Sequence, residues 1–336
     1  MQYGRTTLAT HSDSVATVTP QDQAIIAVER LVKRYKRAAS NAVDDISFAV
    51  SAGTFFALLG PNGAGKTTTI SILTTTLLPT SGTVRIAGYD LTRQASKVRN
   101  VIGIIFQKPS LDLNLTAEEN IRFHAALYGL YPFRPTYSTM PRVYREQVER
   151  LAAILGIQED LFTSVKKYSG GMKRKLEILR SLLHNPKVLF LDEPTAGLDP
   201  SSRRSLWEYL RKVRVEQGVT IFLTTHYLEE AEQADTLCVI NKGKIVSYGT
   251  PAEIKAQLVE EYLLIDAEKR AALRDELLQR SIPFDDLPPF KVRIEGSNVH
   301  ALLKSIDTPL TLVETHLPSL EDAYLEIIGE KGEQDA

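Results

Sequence analysis

The chain has 336 residues, of which 43% are apolar and 24% charged, with a formal net charge of −1. These values are ordinary for a globular protein, and the length suits one large domain or two smaller ones. A nearly neutral charge argues against a protein whose main task is to coat nucleic acid. The single cysteine, Cys238, excludes an internal disulfide framework and lies in an apolar run, where we expect a core residue.

The N-terminal segment and the apolar runs bear on location. No apolar run approaches the roughly 20 residues that span a bilayer, and the first residues lack the apolar stretch of a secretory signal. Residues 1–22 are rich in Ser, Thr, Gln and Asp without a period, which predicts a flexible tail. We therefore expect a cytosolic chain without signal peptide or transmembrane segment, with attachment to a membrane left open only through a partner chain.

The first predicted elements are short strands followed by a helix. The runs AIIAVERL and VDDISFAV are β-type, and TFFALLG is apolar throughout, as in a strand buried on both faces. After a glycine-rich turn, Ile70, Leu73 and Leu77 fall at helical spacing, and we expect this helix to continue until Pro79.

The middle of the chain changes character twice. Residues 108–182 are mostly helical in pattern, interrupted at 131–144 by a stretch with three prolines that predicts a loop insertion. Beyond it, KVLFLD and TIFLTT read as buried strands linked by a helix near 201–216. Strand, helix and strand in this order predict a mostly parallel sheet covered by helices.

The C-terminal part repeats the alternation on a smaller scale. After the helix PAEIKAQL, residues 262–330 alternate strands and helices in the manner of a small βαββαβ domain. The predicted organisation is a tail at 1–22, a main domain at 23–258 and an accessory α+β domain at 259–336.

The glycine-rich turn GPNGAGKTT, residues 60–68, matches the phosphate-loop pattern G-x-x-x-x-G-K-[ST]. In such a loop, backbone N–H groups and the positive end of a helix dipole surround a phosphate. Lys66 would reach the β- and γ-phosphates, the Thr67 hydroxyl suits Mg²⁺, and Thr68 would touch the α-phosphate. The alternative is a glycine turn without a ligand. The residues of this predicted nucleotide loop are Gly60, Pro61, Asn62, Gly63, Ala64, Gly65, Lys66, Thr67 and Thr68.

Two carboxylates follow the apolar run VLFL, at the end of another predicted strand. Asp192 would hold Mg²⁺, partly through water, and Glu193 is the natural general base for an attacking water. The alternative is an acidic pair that makes surface contacts. Together the two motifs predict a P-loop nucleoside triphosphatase of the α/β class, and they leave GTPases, kinases, helicases and transporter ATPases open.

A second glycine turn, Ser-Gly-Gly at residues 169–171, precedes a helix with an apolar stripe. Ser169 can cap this helix, and such a helix start is an anion site. Because residues 60–68 already enclose one phosphate chain, we infer that this turn binds the nucleotide of a second subunit. The alternative is an ordinary capped surface helix with a solvated basic face, formed by Lys166, Lys167, Lys173, Arg174 and Lys175.

The motifs in their order resemble the ATP-binding cassette (ABC) family. YSGGM, residues 168–172, looks like the signature motif of the family, commonly LSGGQ, with Met172 in place of Gln. Gln107 ends the run VIGIIF, GLDP follows the acidic pair, and TTH ends at His226. The resemblance covers residues 24–258. It implies a mostly parallel sheet with an antiparallel β subdomain and a helical subdomain near 108–182.

The resemblance implies roles for residues around one nucleotide. Tyr35 would stack on adenine, the alternative being a strand-end aromatic of the core. Gln107 would contact Mg²⁺ or the attacking water. His226 would hydrogen-bond the γ-phosphate and position Glu193, although a lone histidine after a strand is more often structural. The implied cofactors are ATP and Mg²⁺, and the implied catalytic residues are Glu193, His226, Gln107 and Lys66.

The resemblance also implies a dimer. Ser169 and Gly171, with Gly170 between them, would bind the γ-phosphate held by a second chain, and Asp199 would lie across the dimer interface. The replacement of Gln by Met172 puts the side-chain contacts of the signature in doubt, but not those of its serine and backbone.

Longer stretches, among them LPSLEDAYLEIIGE, resemble the daunorubicin-resistance branch that serves type-2 ABC exporters. This implies an ATPase that pairs with itself or a homologue and drives a separate integral-membrane permease to export drugs, lipids or glycans. We place the permease contact in QKPSLDLNLTAEENI, residues 107–121. A regulatory ATPase without a permease and the ATPase of an importer remain alternatives. We expect no nucleic-acid partner, because sustained heptads of a DNA-repair coiled coil are missing from the sequence.

Overall fold

The computed structural model describes residues 24–258, 262–293, 299–316 and 319–333, so the predicted tail lies outside the described residues. The strands are, in chain order, β1 (Ala24–Lys33), β2 (Val43–Ser51), β3 (Phe55–Leu59), β4 (Ser81–Ile86), β5 (Tyr89–Asp90), β6 (Ile102–Ile105), β7 (Val188–Asp192), β8 (Thr220–Thr225), β9 (Thr236–Asn241), β10 (Lys244–Gly249), β11 (Tyr262–Asp266), β12 (Phe284–Asp285), β13 (Phe290–Arg293) and β14 (Leu312–His316). The helices are α1 (Lys66–Leu73), α2 (Ala95–Val101), α3 (Ala117–Leu127), α4 (Arg142–Leu155), α5 (Gly170–Leu182), α6 (Pro200–Gln217), α7 (Leu228–Ala231), α8 (Pro251–Leu258), α9 (Arg270–Gln279), α10 (Val299–Ser305) and α11 (Leu320–Glu333).

The central sheet has the strand order β10-β9-β3-β8-β7-β6. All neighbours from β6 to β9 pair in parallel, and only β10 runs antiparallel to its neighbour. Every residue of β3, β7 and β8 is buried, as the continuous apolar runs predict. In β3, Leu59 faces the core under the helices, whereas Phe56 faces a second core on the other side of the sheet. The prediction of a mostly parallel sheet is confirmed.

A four-stranded antiparallel sheet, ordered β2-β1-β4-β5, covers the second face. Stacked aromatic rings join the two sheets. The ring of Phe56 lies 5.4 Å from that of Phe48 and 5.0 Å from that of Phe222. All three side chains are fully buried, and burial of one such ring stabilises the fold by about 1.5–3 kcal/mol. The antiparallel sheet is therefore fixed to the central sheet by buried aromatic packing.

Helices α3, α4 and α5 form the helical subdomain. A capping box between Thr116 and Glu119 starts α3. The predicted loop insertion at 131–144 is partly wrong, because α4 already begins at Arg142 and Tyr144 is fully buried. The buried guanidinium of Arg122 donates to the carbonyl oxygens of Arg134 and Pro135, which holds the preceding segment against α3.

The helix after the glycine turn is shorter than its apolar spacing predicts. Helix α1 ends at Leu73, and Leu77 lies beyond it. The hydroxyl of Thr74 donates to the carbonyl of Ile70, and the hydroxyl of Thr76 donates to the carbonyl of Ser71. Such side-chain bonds to the backbone compete with helix continuation, so the threonine run ends the helix well before Pro79.

The small C-terminal sheet has the order β12-β13-β11-β14, with every pair antiparallel. With α9 and α10 this is the split βαβ arrangement of ferredoxin-like domains, and the βαββαβ prediction is confirmed. Its core is separate from the two cores of the main domain and contains Leu263, Ile265, Ala267, Leu273, Leu277, Phe290 and Val292.

The last described helix, α11, packs outside the core of this small domain. Helix α11 packs on α8 of the main domain. Its buried residues Leu320, Ala323 and Ile327 belong to the same core as Ile254 of α8. The accessory domain is therefore linked to the main domain by apolar packing at its end as well as by the chain at its start.

Candidate nucleotide site

The parallel sheet brings four loops to one edge. The glycine loop follows β3, Gln107 follows β6, the acidic pair ends β7, and His226 follows β8. Because β8 lies between β3 and β7 and β6 lies next to β7, the carboxyl ends of these strands are adjacent. Ligands of open parallel sheets bind at this edge. The sheet thus brings motifs that are far apart in the sequence into one cluster.

The loop at residues 60–68 needs its glycines for close approach. A Cβ atom on Gly60 would lie 2.2 Å from the carbonyl oxygen of Ile240, and one on Gly65 would lie 2.5 Å from that of Ala42. Gly65 also has φ +108°, a conformation open mainly to glycine. Helix α1 begins there without a side-chain cap and without an acid in its first turn. Its first N–H groups are therefore suited to an anion such as a phosphate.

The amine of Lys66 lies under this loop. Lys66 is 4% exposed, and its Nζ donates to the carbonyl oxygens of Gly60 at 2.7 Å and Pro61 at 3.1 Å. Burial lowers the pKa of this amine, an effect opposed by the nearby carboxylates of Glu193 and Asp192. A cation enclosed by the glycine loop is placed to meet phosphate oxygens.

Asp192 and Thr67 are the candidate Mg²⁺ ligands. Asp192 is 8% exposed and accepts a hydrogen bond of 2.5 Å from the hydroxyl of Thr224. Burial raises the pKa of Asp192, and the bond from Thr224 opposes that shift. Among the described residues, no group of three or more His, Cys, Asp or Glu could hold a metal alone. The donor set fits Mg²⁺, which commonly binds one or two protein oxygens together with substrate phosphates and water.

Three predicted catalytic residues surround Glu193. Gln107 Nε2 donates to Glu193 Oε2 at 3.1 Å, His226 Nδ1 lies 3.2 Å from Glu193 Oε1, and Lys66 Nζ lies 3.9 Å from that same oxygen. Glu193 has φ +46°, which is unusual for a residue with a side chain. Its N–H donates to the carbonyl oxygen of Thr224, which helps to hold this backbone. The carboxylate is fixed beside the glycine loop.

Tyr35 lies at the rim of the glycine loop. Its ring is 46% exposed, so it is not a core aromatic. Its hydroxyl lies 3.4 Å from Thr68 Oγ1. The amine of Lys33 lies 5.6 Å from the centre of this ring, and adenine stacking on Tyr35 stays a prediction.

The signature turn lies against the start of α6. The Oγ atom of Ser169 accepts the N–H of Met172 at 3.2 Å, which confirms the predicted helix cap. A Cβ atom on Gly171 would lie 2.9 Å from Ser202 Oγ. Asp199 caps α6 by accepting the N–H groups of Ser201 and Ser202, and the bonds from Ser202 lower its pKa.

The signature turn is not joined to the glycine loop of its own chain. Within the described part of the chain, Ser169 makes no hydrogen bond to residues 60–68. This arrangement fits a turn that serves the nucleotide of another chain, and that role stays a prediction.

Two residues of the site were not predicted from the sequence. Thr224 bonds both Asp192 and the Glu193 backbone, and the signal was a hydroxyl in the buried run TIFLTT, where it must find a partner. Arg174 was assigned to a solvated basic face under the alternative for this helix, but it is 4% exposed, so that assignment is wrong. Its guanidinium donates to carbonyl oxygens of the two loops that carry Gln107 and Glu193.

Comparison with known proteins agrees with this geometry. Residues 43–196 match the ABC transporter family. The chain is 41% identical over 245 residues to the daunorubicin/doxorubicin resistance ATP-binding protein DrrA of Streptomyces peucetius, covering 72% of this chain and 71% of DrrA. It is 36% identical over 312 residues to the Nod factor export ATP-binding protein I of Paraburkholderia xenovorans, covering 91% of this chain and 98% of that protein.

A further relative is longer. The probable multidrug ABC transporter ATP-binding protein YbhF of Escherichia coli is 39% identical over 235 residues, and the chain spans only 39% of its length. Among solved structures, an ATP-binding subunit of an ABC transporter has 31% identity and a TM-score of 0.59, over 69% of this chain and 92% of that one. The cbiO1 protein of Clostridium perfringens, part of the transporter complex cbiONQ, has 27% identity and a TM-score of 0.62, over 77% and 96%.

The fold, the converging motifs and these relatives confirm the resemblance seen in the sequence. No described helix is long and apolar enough to cross a bilayer. The chain belongs to the ABC transporter family, and the relatives that show this are named as ATP-binding proteins.

Proposed function

We propose that this chain is the ATP-hydrolysing subunit of an ABC exporter, which dimerises on ATP and drives a separate membrane permease. One observation carries the catalytic part: Gln107, His226 and Lys66 meet at the carboxylate of Glu193, beside a glycine loop shaped for phosphate. The exporter part is supported by relatives named for drug resistance and for Nod factor export.

ATP binding uses the glycine loop and its neighbours. The triphosphate lies in the loop of residues 60–68, with Lys66 at the β- and γ-phosphates, and the adenine stacks on Tyr35. Mg²⁺, held by Thr67 and Asp192 with Gln107 nearby, would neutralise phosphate charge. Because the amine of Lys66 bonds two neutral loop carbonyls, its transfer to phosphate oxygens exchanges those bonds for bonds to negatively charged acceptors.

Hydrolysis centres on Glu193. Its carboxylate accepts a proton as water attacks the γ-phosphorus, and the bond from that phosphorus to the ADP oxygen breaks. Gln107 orients the water, while His226 and Lys66 stabilise charge on the γ-phosphoryl oxygens. The catalytic effect is mostly positioning and charge stabilisation, as in other phosphoryl transfers.

A second chain completes the site. Ser169, Gly170 and Gly171 of that chain close over the γ-phosphate, and Asp199 lies across the interface. The support is that the signature turn and the cap of α6 lie side by side, because Gly171 packs on Ser202. ATP then joins two chains, and its hydrolysis separates them, which supplies the opening and closing that a permease requires.

The permease contact is proposed on the helical subdomain, within and beside residues 107–121. A groove of about 330 Å³ opens there. Phe123 and Leu127 at its edge are 43% and 85% exposed. Glu118, by contrast, is buried in an ion pair with Arg122, and Glu119 completes the capping box of α3. Neither acid is available for a partner, so the exposed apolar residues are the better candidates. The groove is lined by Ser110, Asp112, Leu115, Asn120, Phe123, His124, Leu127 and Arg180.

We further propose that residues 23–258 form a cassette and residues 259–336 an accessory domain, with α11 as the part of the accessory domain that packs on the cassette. Its apolar contacts with α8 support a role in holding the small domain at a fixed position. The peripheral location at the cytoplasmic face follows from the proposed permease.

The test of the exporter proposal is a pull-down of the Glu193→Gln protein with ATP and Mg²⁺ from gently solubilised membranes, with co-purifying chains identified by mass spectrometry. The expected result is a polytopic permease, recovered less well without ATP. Recovery of ribosomes or of the soluble dimer alone would contradict the exporter proposal and favour a regulatory ATPase. A permease that co-purifies with an extracellular binding protein would favour an importer.

A further inference from the structure

Helix α5, which begins at the signature turn, carries a row of polar side chains towards the loop after β6. Glu177 Oε1 accepts the N–H of Ser110 at 2.9 Å, and the Arg180 guanidinium donates to the carbonyl oxygen of Ser110 at 2.9 Å. The hydroxyl of Ser181 donates to the carbonyl oxygen of Ile104 at 3.1 Å. The loop that carries Gln107 is thus bonded along one side of the signature helix.

Arg174 makes the most direct of these contacts. Its Nη2 donates to the carbonyl oxygen of Gln107 at 3.2 Å, and its Nη1 donates to that of Phe106 at 2.7 Å. Its Nε donates to the carbonyl oxygen of Pro194 at 3.0 Å. Glu177 pairs with Nη1 at 3.0 Å and balances the charge. A planar guanidinium with five fixed donors suits several carbonyls at once, which a lysine amine cannot match.

Arg174 holds the two loops that carry Gln107 and Glu193, whose side chains contact each other in the proposed catalytic site. Gln107 bonds Glu193 through its side chain, and Arg174 binds the backbone of Gln107 and of the residue that follows Glu193. Glu193 has φ +46°, and such a conformation persists only where neighbours hold it. Without the guanidinium, the buried carbonyl of Pro194 and the part-buried carbonyls of Phe106 and Gln107 would lose a donor next to this strained residue.

We propose that Arg174 is a positioning residue that fixes the Gln107–Glu193 contact and ties it to the signature helix. This inference rests on the proposed ATPase function. Ser169–Gly171 begin the same helix that carries Arg174, so a shift of the signature turn towards the nucleotide of a second chain moves the guanidinium with it. Each chain would thereby align its own general base when its signature turn engages the nucleotide held by the other chain.

The test compares Arg174→Gln and Arg174→Lys with a control, Arg142→Gln. Arg142 lies in the same subdomain and forms an ion pair with Glu146 at the surface, and its side chain is 84% exposed. For Arg174→Gln we expect kcat to fall roughly 10- to 100-fold, since a misplacement of about 1 Å costs about that much. The KM and Kd for ATP should stay within roughly two-fold, because the glycine loop is untouched. Arg174→Lys should recover part of the rate, and Arg142→Gln should match the wild type.

A double-mutant cycle with Gln107→Ala separates positioning from general support. If Arg174 acts through Gln107 and Glu193, its replacement in the Gln107→Ala background should lower kcat much less than in the wild type. Fully multiplicative losses would overturn the inference. So would a fall in ATP affinity and melting temperature that parallels the fall in kcat, or a kcat for Arg174→Gln equal to that of the wild type. A wild-type chain without ATPase activity would instead reject the proposed function itself.

Discussion

Gln107 and Glu193 are joined by a hydrogen bond, with Gln107 Nε2 3.1 Å from Glu193 Oε2, although they are 86 residues apart in sequence. They meet because β6 and β7 are parallel neighbours and each residue follows the end of its strand. Glu193 also contacts His226, which follows the next strand, β8. The order of strands in the sheet, rather than the order of motifs in the chain, assembles this group.

Replacement of Lys66 by Ala should cripple nucleotide binding. The buried amine is the cation of the glycine loop, and charge-assisted bonds of this kind contribute about 1.5–3 kcal/mol each. We expect ATP affinity to fall at least roughly ten-fold, measured by equilibrium binding of a fluorescent ATP analogue. Lys244→Ala, which removes an exposed lysine paired with Asp44, is the control and should bind ATP normally. Unchanged affinity in Lys66→Ala would reject the assigned role.

Replacement of Leu127 by Asp should impair coupling to the permease and not the basal ATPase. Leu127 is 85% exposed at the proposed contact, where an apolar partner residue would bury it. Loss of one such buried side chain costs about 1.5–3 kcal/mol, or roughly 10- to 100-fold in permease affinity. The measurement is ATPase stimulation by the co-purified permease. Val215→Asp, on α6 and 82% exposed, provides the matched control and should leave stimulation unchanged. Equal stimulation in both variants would place the contact elsewhere.

The accessory domain should lose stability in acid through Glu276. This carboxylate accepts the N–H of Asp307 and the hydroxyl of Thr308, among other bonds, which lower its pKa from 4.5 to about 2. Because the folded-state pKa is depressed, the stabilisation is complete above pH 4.5 and is lost as the pH falls from 4.5 towards 2. Glu276→Gln should lower the free energy of unfolding by about 1–2 kcal/mol at neutral pH.

The measurement is urea unfolding followed at several pH values. The difference in the free energy of unfolding between wild type and Glu276→Gln should become smaller below pH 4.5. Glu268→Gln, an exposed glutamate at the start of the same domain, should show no such difference. If the difference in the free energy of unfolding did not depend on pH, the charge of the Glu276 carboxylate would not be what holds Asp307 and Thr308.

Much of the site could be predicted from sequence because its chemistry follows apolar strands directly. Lys66, Asp192, Glu193 and His226 each stand at or just after a run that had to be a buried strand, and parallel strands bring such ends together. The two missed residues are of another kind. Thr224 acts within a strand and Arg174 within a helix, and their roles depend on which elements lie beside them, which one sequence does not reveal.

The errors in secondary structure have similar causes. Apolar spacing predicts a helix through Leu77, but the hydroxyls of Thr74 and Thr76 bind the backbone and end it at Leu73. Three prolines suggest a loop up to residue 144, yet Tyr144 enters the core in the first turn of α4, where a preceding proline is tolerated. Local composition predicted the kind of element correctly. It did not predict the residues at which α1 ends and α4 begins, because tertiary contacts and side-chain hydrogen bonds set them.

The most direct test of the central claim is the oligomeric state of Glu193→Gln with ATP and Mg²⁺, measured by size-exclusion chromatography with light scattering. Removal of the proposed general base should block hydrolysis and leave the glycine loop and the signature turn intact. We expect the mass of two chains with ATP, the mass of one chain without it, and the mass of one chain when Ser169→Arg is added to obstruct the signature turn. A Glu193→Gln protein that binds ATP yet keeps the mass of one chain would contradict closure of two chains around the nucleotide.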